Sequence, residues 1–183
     1  MKYENTHIDI VAACKRGERR AQFELYKLYS KAMYNVCLRM LNNEADAEDV
    51  LQNSFLDVFR RMDSFRQEAS VGAWMKRIVI NNCINFLKKK RIAFQELEER
   101  HASTVIVEDR SPQINVRAID LAIKSLSNGY RIVFSLYALE GYDHKEIAQI
   151  LNISEATSKS QYSRAKQKLR QILGSKQKMI GSR

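Results

Sequence analysis

Apolar residues recur at intervals of three and four along most of the chain, the spacing that lines one face of an α-helix. Thr6 with Asp9 predicts a capping box opening a short helix that Gly17 ends. From Glu18 to about Leu41 the stripe Phe23, Leu25, Tyr26, Leu28, Tyr29, Met33, Tyr34, Cys37, Leu38 and Leu41 predicts one helix, roughly 35 Å long at ~1.5 Å per residue. Asn43 with Asp46 caps a second, whose stripe is Ala47, Val50, Leu51, Phe55, Val58, Phe59 and Met62. A loop over Asp63–Ser70 precedes a helix from about Val71 to Lys90. From about Arg91 to Asn115 the period weakens into charges, Ser, Thr and Pro112, which predicts a linker. It resumes near Val116 with Ile119, Ala122, Ile123 and Leu126. A turn is expected at Ser127-Asn128-Gly129, then the stripe Ile132, Val133, Leu136, Tyr137 and Leu139, which Gly141 stops.

One proline and six glycines in 183 residues permit long helices and disfavour a turn-rich β fold. The expected fold is all-α: two small helical domains joined by a flexible linker, the C-terminal one a four-helix, winged-helix-like helix-turn-helix domain. The expected boundaries are 1–91, a linker over 92–115, 116–175, and a basic tail over 176–183.

Charge sharpens this picture. The net charge is +10, but residues 1–75 hold 11 basic and 11 acidic groups. Residues 76–95 hold six basic groups (Lys76, Arg77, Lys88, Lys89, Lys90, Arg91) and no acidic one. Residues 96–155 hold six basic and ten acidic groups, and 156–183 hold eight basic and none acidic. Two cationic blocks on two helical units suit a polyanion touched in two places, such as a nucleic-acid backbone. No apolar run approaches the ~20 residues of a membrane span. The start MKYENTHIDI lacks a basic-then-apolar signal, so a cytoplasmic location is expected. Cys14, Cys37 and Cys83 have no metal-ligand spacing and read as buried, reduced thiols. With His7, His101 and His144 scattered and no Gly-rich phosphate loop, no catalytic constellation, metal or cofactor is expected.

The segment from Asp143 to Leu169 has the layout of a helix-turn-helix. Asp143 and Glu146 form a capping box for a short helix carrying Ile147, Ala148, Ile150 and Leu151. Asn152 suits a left-handed turn, Ile153 can plug the core, and Ser154 caps a second helix. That helix offers Thr157, Ser158, Lys159, Gln161, Tyr162, Arg164, Lys166 and Lys168, groups able to read base edges and hold phosphates in a major groove. A helical hairpin with a solvated basic face is the plainer alternative.

Further upstream, Asp46, Asp49, Gln52 and Asn53 make an acidic and amide face, suited to a basic protein partner or simply to solvent. In the following helix Trp74, Ile78, Ile84 and Leu87 can pack inward, while Arg77, Asn81, Asn82, Asn85 and Lys88 stay polar. Asparagine is a mediocre helix former, and its amide can hydrogen-bond bases while Lys88, Lys89, Lys90 and Arg91 bind phosphates.

The run DAEDVLQNSF resembles the polymerase-binding segment of extracytoplasmic-function sigma factors. AWMKRIVINNCINFLKKK resembles their −10 recognition helix, and GYDHKEIAQILNISEATSKSQYSRAKQKL their −35 helix-turn-helix. The three motifs stand in the family's order over about residues 10–175. The resemblance implies core RNA polymerase as partner, with Asp49, Gln52, Asn53 and Leu56 facing the β′ clamp helices and a further contact to the β flap. It implies −10 contacts from Arg77, Asn81, Asn82, Asn85, Lys88 and Lys89, with the loop Phe65–Ser70 (Phe65, Arg66, Gln67) holding a flipped base. It implies that Thr157, Ser158, Lys159, Gln161, Tyr162, Arg164 and Lys166 enter the −35 groove of promoter DNA, and that an anti-sigma partner covers these surfaces. Val71, Ser158 and Gln161 depart from the family's more frequent aromatic, Val and Arg, which bears on the promoter sequence. A polymerase-independent helix-turn-helix regulator would leave the 81–91 block and the Asp49/Gln52 face without a role, and a helical adaptor would leave the basic recognition helix without one.

Overall fold

A computed structural model describes the backbone over residues 8–95 and 116–180 and the side chains over 8–90 and 117–174. The expected Thr6 cap and the linker from residue 96 onward lie outside the described residues. The chain divides into two compact units, 1–97 and 98–183, each with its own core. Among the described residues there is no strand, and no helix is long and apolar enough to cross a membrane.

Among the described residues, the first unit holds four helices. Helix α1 (Ile8–Lys15) buries Val11 and Cys14; it ends at Gly17, whose φ of 77° is readily reached without a Cβ. Helix α2 (Arg19–Leu41) closes on Asn42 in the left-handed region, with the Asn42 N–H donating to the Leu38 carbonyl. Asn43 then caps α3 (Glu44–Arg60) by accepting from the Asp46 N–H at 2.9 Å. A 3-10 turn (Met62–Ser64) leads to the loop before α4 (Val71–Gln95). Leu25, Met40, Val58, Met62, Met75, Val79 and Ile80 are sealed from solvent at the centre. There the Cys83 thiol is hydrogen-bonded with that of Cys37, and this contact, reinforced by burial, pushes it far above the ordinary thiol range. Gly72 admits the Tyr29 ring: a Cβ there would stand 2.9 Å from Tyr29 Cε1.

The predicted α2 stripe was wider than the face that packs. Phe23 and Leu28 are about half exposed, at 61% and 50%, because a helix buries one arc and the stripe covered nearly all directions. Helix α4 runs to Gln95, past the expected boundary at residue 91.

The second unit comprises α5 (Val116–Lys124), α6 (Asn128–Phe134), a π-helical turn (Ser135–Leu139), α7 (His144–Leu151) and α8 (Glu155–Ile180). Ala122, Ile123 and Leu126 meet Ala165 and Leu169 of α8, with Tyr130, Phe134, Ile172 and Leu173 packed around them. The expected turn at 127–129 is shorter than predicted, since Asn128 and Gly129 already belong to α6. The reason is Arg131: this buried side chain donates to the Leu126 carbonyl at 3.0 Å and to Asn128 Oδ1 at 2.7 Å, closing the connection from inside. Burial pushes its guanidinium pKa below the ordinary value. The π turn, marked by the Glu140 N–H donating to the Ser135 carbonyl, adds a residue to the turn; Leu139 is left exposed, off its predicted stripe, while the partly exposed Tyr137 ring packs on His144 and Tyr162. Helix α8 continues through Ile180, so most of the expected tail is helical.

Candidate nucleic-acid interface

Helix α3 buries Ala47, Val50, Leu51, Ser54, Phe55 and Val58. The 3.6-residue period therefore turns Asp49, Gln52, Asn53 and Leu56 outward together, and all four are exposed. Asn53 Nδ2 donates to the Asp49 carbonyl at 2.9 Å, which holds the amide against its own helix. On α4, burial of Met75, Ile78, Val79, Cys83 and Ile84 leaves Arg77, Asn81, Asn85, Lys88 and Lys89 exposed. Arg77, Asn81, Asn85 and Lys88 lie at helical spacing and make one polar, cationic face.

Asn82 does not share that face. It is half-buried, and its Nδ2 donates to Ser54 Oγ at 3.2 Å and to Asp57 Oδ2 at 3.0 Å on α3. Both amide hydrogens are used inside the unit, so its expected place among the DNA-contacting groups is corrected. Phe65 is corrected too: it is 4% exposed, with its ring 5.2 Å from that of Trp74. Its carbonyl accepts from Lys15 Nζ at 3.0 Å, and Ser70 Oγ accepts from the Ala73 N–H at 3.2 Å at the start of α4. These contacts fasten both ends of the loop and leave Arg66, Gln67 and Glu68 exposed between them. Gln67 sits at φ 61°, a left-handed conformation that costs an L-residue other than Gly roughly 1–2 kcal/mol.

The helix-turn-helix follows its local signals closely. Asp143 Oδ1 accepts from the Glu146 N–H at 2.7 Å, and Glu146 Oε2 accepts from the Asp143 N–H at 2.8 Å. Asn152 takes the left-handed turn at φ 55°. Ser154 Oγ accepts from the Thr157 N–H at 3.0 Å and is 2.8 Å from Thr157 Oγ1. Ile147 is the sealed residue of α7, whereas Ile153, the expected plug, is half-buried.

Helix α8 sorts the predicted readers differently. Ser158 is fully buried, 2.9 Å from His144 Nδ1, and so cannot meet a base edge; its predicted role is corrected. Tyr162 is half-buried, its ring 5.9 Å from Phe134 and 4.4 Å from Tyr137, with Lys166 Nζ 4.7 Å above it. Gln161 is half-buried with its amide against Gly129, and Thr157 is half-buried. Lys159, Arg164 and Lys166 are exposed. Exposed beside them are Ala156, Ser160, Ser163 and Gln167, which the sequence reading passed over. Their signal was available: Ala165 and Leu169 mark the inward stripe, which by helical spacing includes 158 and 162 and puts 156, 159, 160, 163, 164 and 167 opposite.

Near the tip of that face, Lys159 Nζ lies 2.6 Å from Glu155 Oε1. The hydrogen bond to Lys159, then its charge, holds the Glu155 carboxyl below the ordinary carboxylate range, and the same pair raises Lys159.

Residues 25–92 match the Sigma-70 region 2 family and residues 116–169 match Sigma-70, region 4. Among curated proteins, the chain is 29% identical over 175 residues to the ECF RNA polymerase sigma factor SigM of Mycobacterium tuberculosis strain H37Rv, covering 94% of this chain and 87% of that protein. It is 28% identical over 173 residues to the ECF RNA polymerase sigma factor SigW of Bacillus subtilis, covering 87% and 92%. In fold it is similar to the sigma factor RpoE solved with the anti-sigma factor NepR from Bartonella quintana, at TM-score 0.59 and 21% identity over 82% of this chain and 95% of that one. It is likewise similar to CnrH solved with the cytosolic domain of CnrY, at TM-score 0.54 and 23% identity over 91% and 96%.

Proposed function

The chain belongs to the extracytoplasmic-function (ECF) family of RNA polymerase sigma factors, and from that membership we propose how its surfaces direct promoter-specific initiation. Residues 1–91 act as region 2, 92–115 as the linker and 116–175 as region 4. Asp49, Gln52, Asn53 and Leu56 of α3 dock on the β′ clamp helices of core polymerase, and the second unit meets the β flap. The outward face of α8 (Ala156, Lys159, Ser160, Ser163, Arg164 and Gln167) enters the −35 major groove, with Lys166 toward phosphate. Arg77, Asn81, Asn85, Lys88 and Lys89 of α4 meet the −10 element. Arg66 and Gln67 line the loop that takes up an unstacked base, and buried Phe65 supports it from below. Capturing that base offsets the cost of unstacking it, a few kcal/mol, and so favours melting.

Phosphodiester chemistry stays with core polymerase; this chain adds no enzymatic activity of its own. Its place of work is the cytoplasm, beside polymerase and chromosome, and an anti-sigma protein covers the same faces until a signal arrives.

The observation that carries this reading is the sorting of exposed side chains within the first unit. Acidic and amide groups stand out on α3, while cationic and amide groups stand out on α4. A protein that used the helix-turn-helix alone would need neither face. The test is run-off transcription on a fragmented genomic library, with core polymerase of the source organism, with and without this chain. Initiation at a shared bipartite promoter, abolished by Asp49→Arg, is expected. DNA binding without polymerase-dependent initiation would defeat the reading.

A further inference from the structure

Helices α3 and α4 carry different proposed surfaces and are joined by directional polar contacts. Asp46 Oδ2 and Lys90 Nζ lie 2.6 Å apart at one end. In the middle, Asn82 Nδ2 reaches Ser54 Oγ at 3.2 Å and Asp57 Oδ2 at 3.0 Å. The spacing along the two helices agrees: 46 to 54 on α3 and 82 to 90 on α4 are eight residues each, about 12 Å of helix. The middle contact is internally complete. Ser54 is fully buried, and its hydroxyl donates to the Val50 carbonyl at 2.6 Å while accepting from Asn82. Apolar side chains alone tolerate small rotations and slips, whereas a directional polar contact anchored on a buried hydroxyl, here itself half-buried, favours one register.

Asn82 is the residue immediately after Asn81 on α4. A turn of α4 by about 20° would move a side-chain tip, about 5–6 Å from the helix axis, by about 2 Å. That distance takes a hydrogen-bonding group out of range. We propose that Asn82 is a positioning residue: through Ser54 and Asp57 it sets the rotation of α4 on α3, and so aims Asn81 and Asn85 at the −10 bases while α3 is docked on polymerase. The inference rests on the sigma-factor reading above and adds to it a role for a residue that touches neither partner.

The exchange of partners tests it in the full chain. Asn82→Asp places a carboxylate against Asp57 and removes the donor. Asp57→Asn combined with Asn82→Asp restores a donor and an acceptor in reversed order. Core-polymerase affinity, thermal midpoint and the ratio of run-off transcript from intact and substituted −10 elements are measured for each. Asn82→Asp should lower the −10 ratio at least tenfold with core affinity within twofold, and the double variant should recover most of the loss. Asn82→Leu, which removes both bonds without adding charge, should lower the ratio similarly. An unchanged ratio in Asn82→Asp and Asn82→Leu would overturn the proposal. So would a loss that the double variant leaves uncorrected, or one that follows core affinity and thermal midpoint in proportion. A wild-type chain that initiates at no bipartite promoter would remove the sigma-factor reading itself, and is told apart because no variant is needed to see it.

Discussion

Replacing Ser158 with alanine separates the face of α8 that packs from the exposed face proposed to meet DNA. The hydroxyl is fully buried and 2.9 Å from His144 Nδ1. Losing one such hydrogen bond costs about 0.5–1.5 kcal/mol net. A loss of ~1 kcal/mol in a domain of this size lowers its midpoint by about 4–8 °C. Calorimetry on the full chain should show that drop in the second unit. Relative affinities for −35 duplexes substituted one position at a time should keep their order, because no base-facing atom has changed. Ser160→Ala and Ser163→Ala should do the opposite. Both are exposed, so stability should hold within about 0.5 kcal/mol, while a lost base contact costs about 1–3 kcal/mol of discrimination. A Ser158→Ala chain that keeps its midpoint but changes preference tenfold at one position would refute the assignment of faces.

Three further outcomes follow from the geometry. Gly72→Ala should destabilise the first unit by about 1–3 kcal/mol through the Tyr29 ring, read as a lower urea midpoint with unchanged slope. The Glu155 carboxyl, held low by Lys159, should titrate below the ordinary range by NMR and return upward in Lys159→Met. Its folded pKa is depressed, so the support it gives the start of α8 is present at neutral pH and is lost as pH falls through the folded value. Arg131→Ala should lower the stability of the second unit by about 1.5–3 kcal/mol, since its guanidinium bonds are charge-assisted; a midpoint within 2 °C of wild type would contradict that.

Local chemistry made much of this protein legible from residues alone. The Asp143/Glu146 box, the left-handed Asn152, the Asn43 cap and the all-helical plan depend on neighbours within four positions, and so they can be read in one dimension. That Asp49, Gln52, Asn53 and Leu56 share one exposed face was legible for the same reason, because α3 has one unambiguous apolar stripe. What the tertiary structure decided is which polar groups are spent internally. Ser158, Asn82 and Phe65 look available for DNA in a linear reading. His144, Ser54 with Asp57, and Trp74 are the groups that claim them, from 14, 28 or 25, and 9 positions away. A side chain's type declares what it can bond. Only packing, which brings a distant donor or ring within reach and excludes water, determines whether that capacity faces inward or remains for a partner.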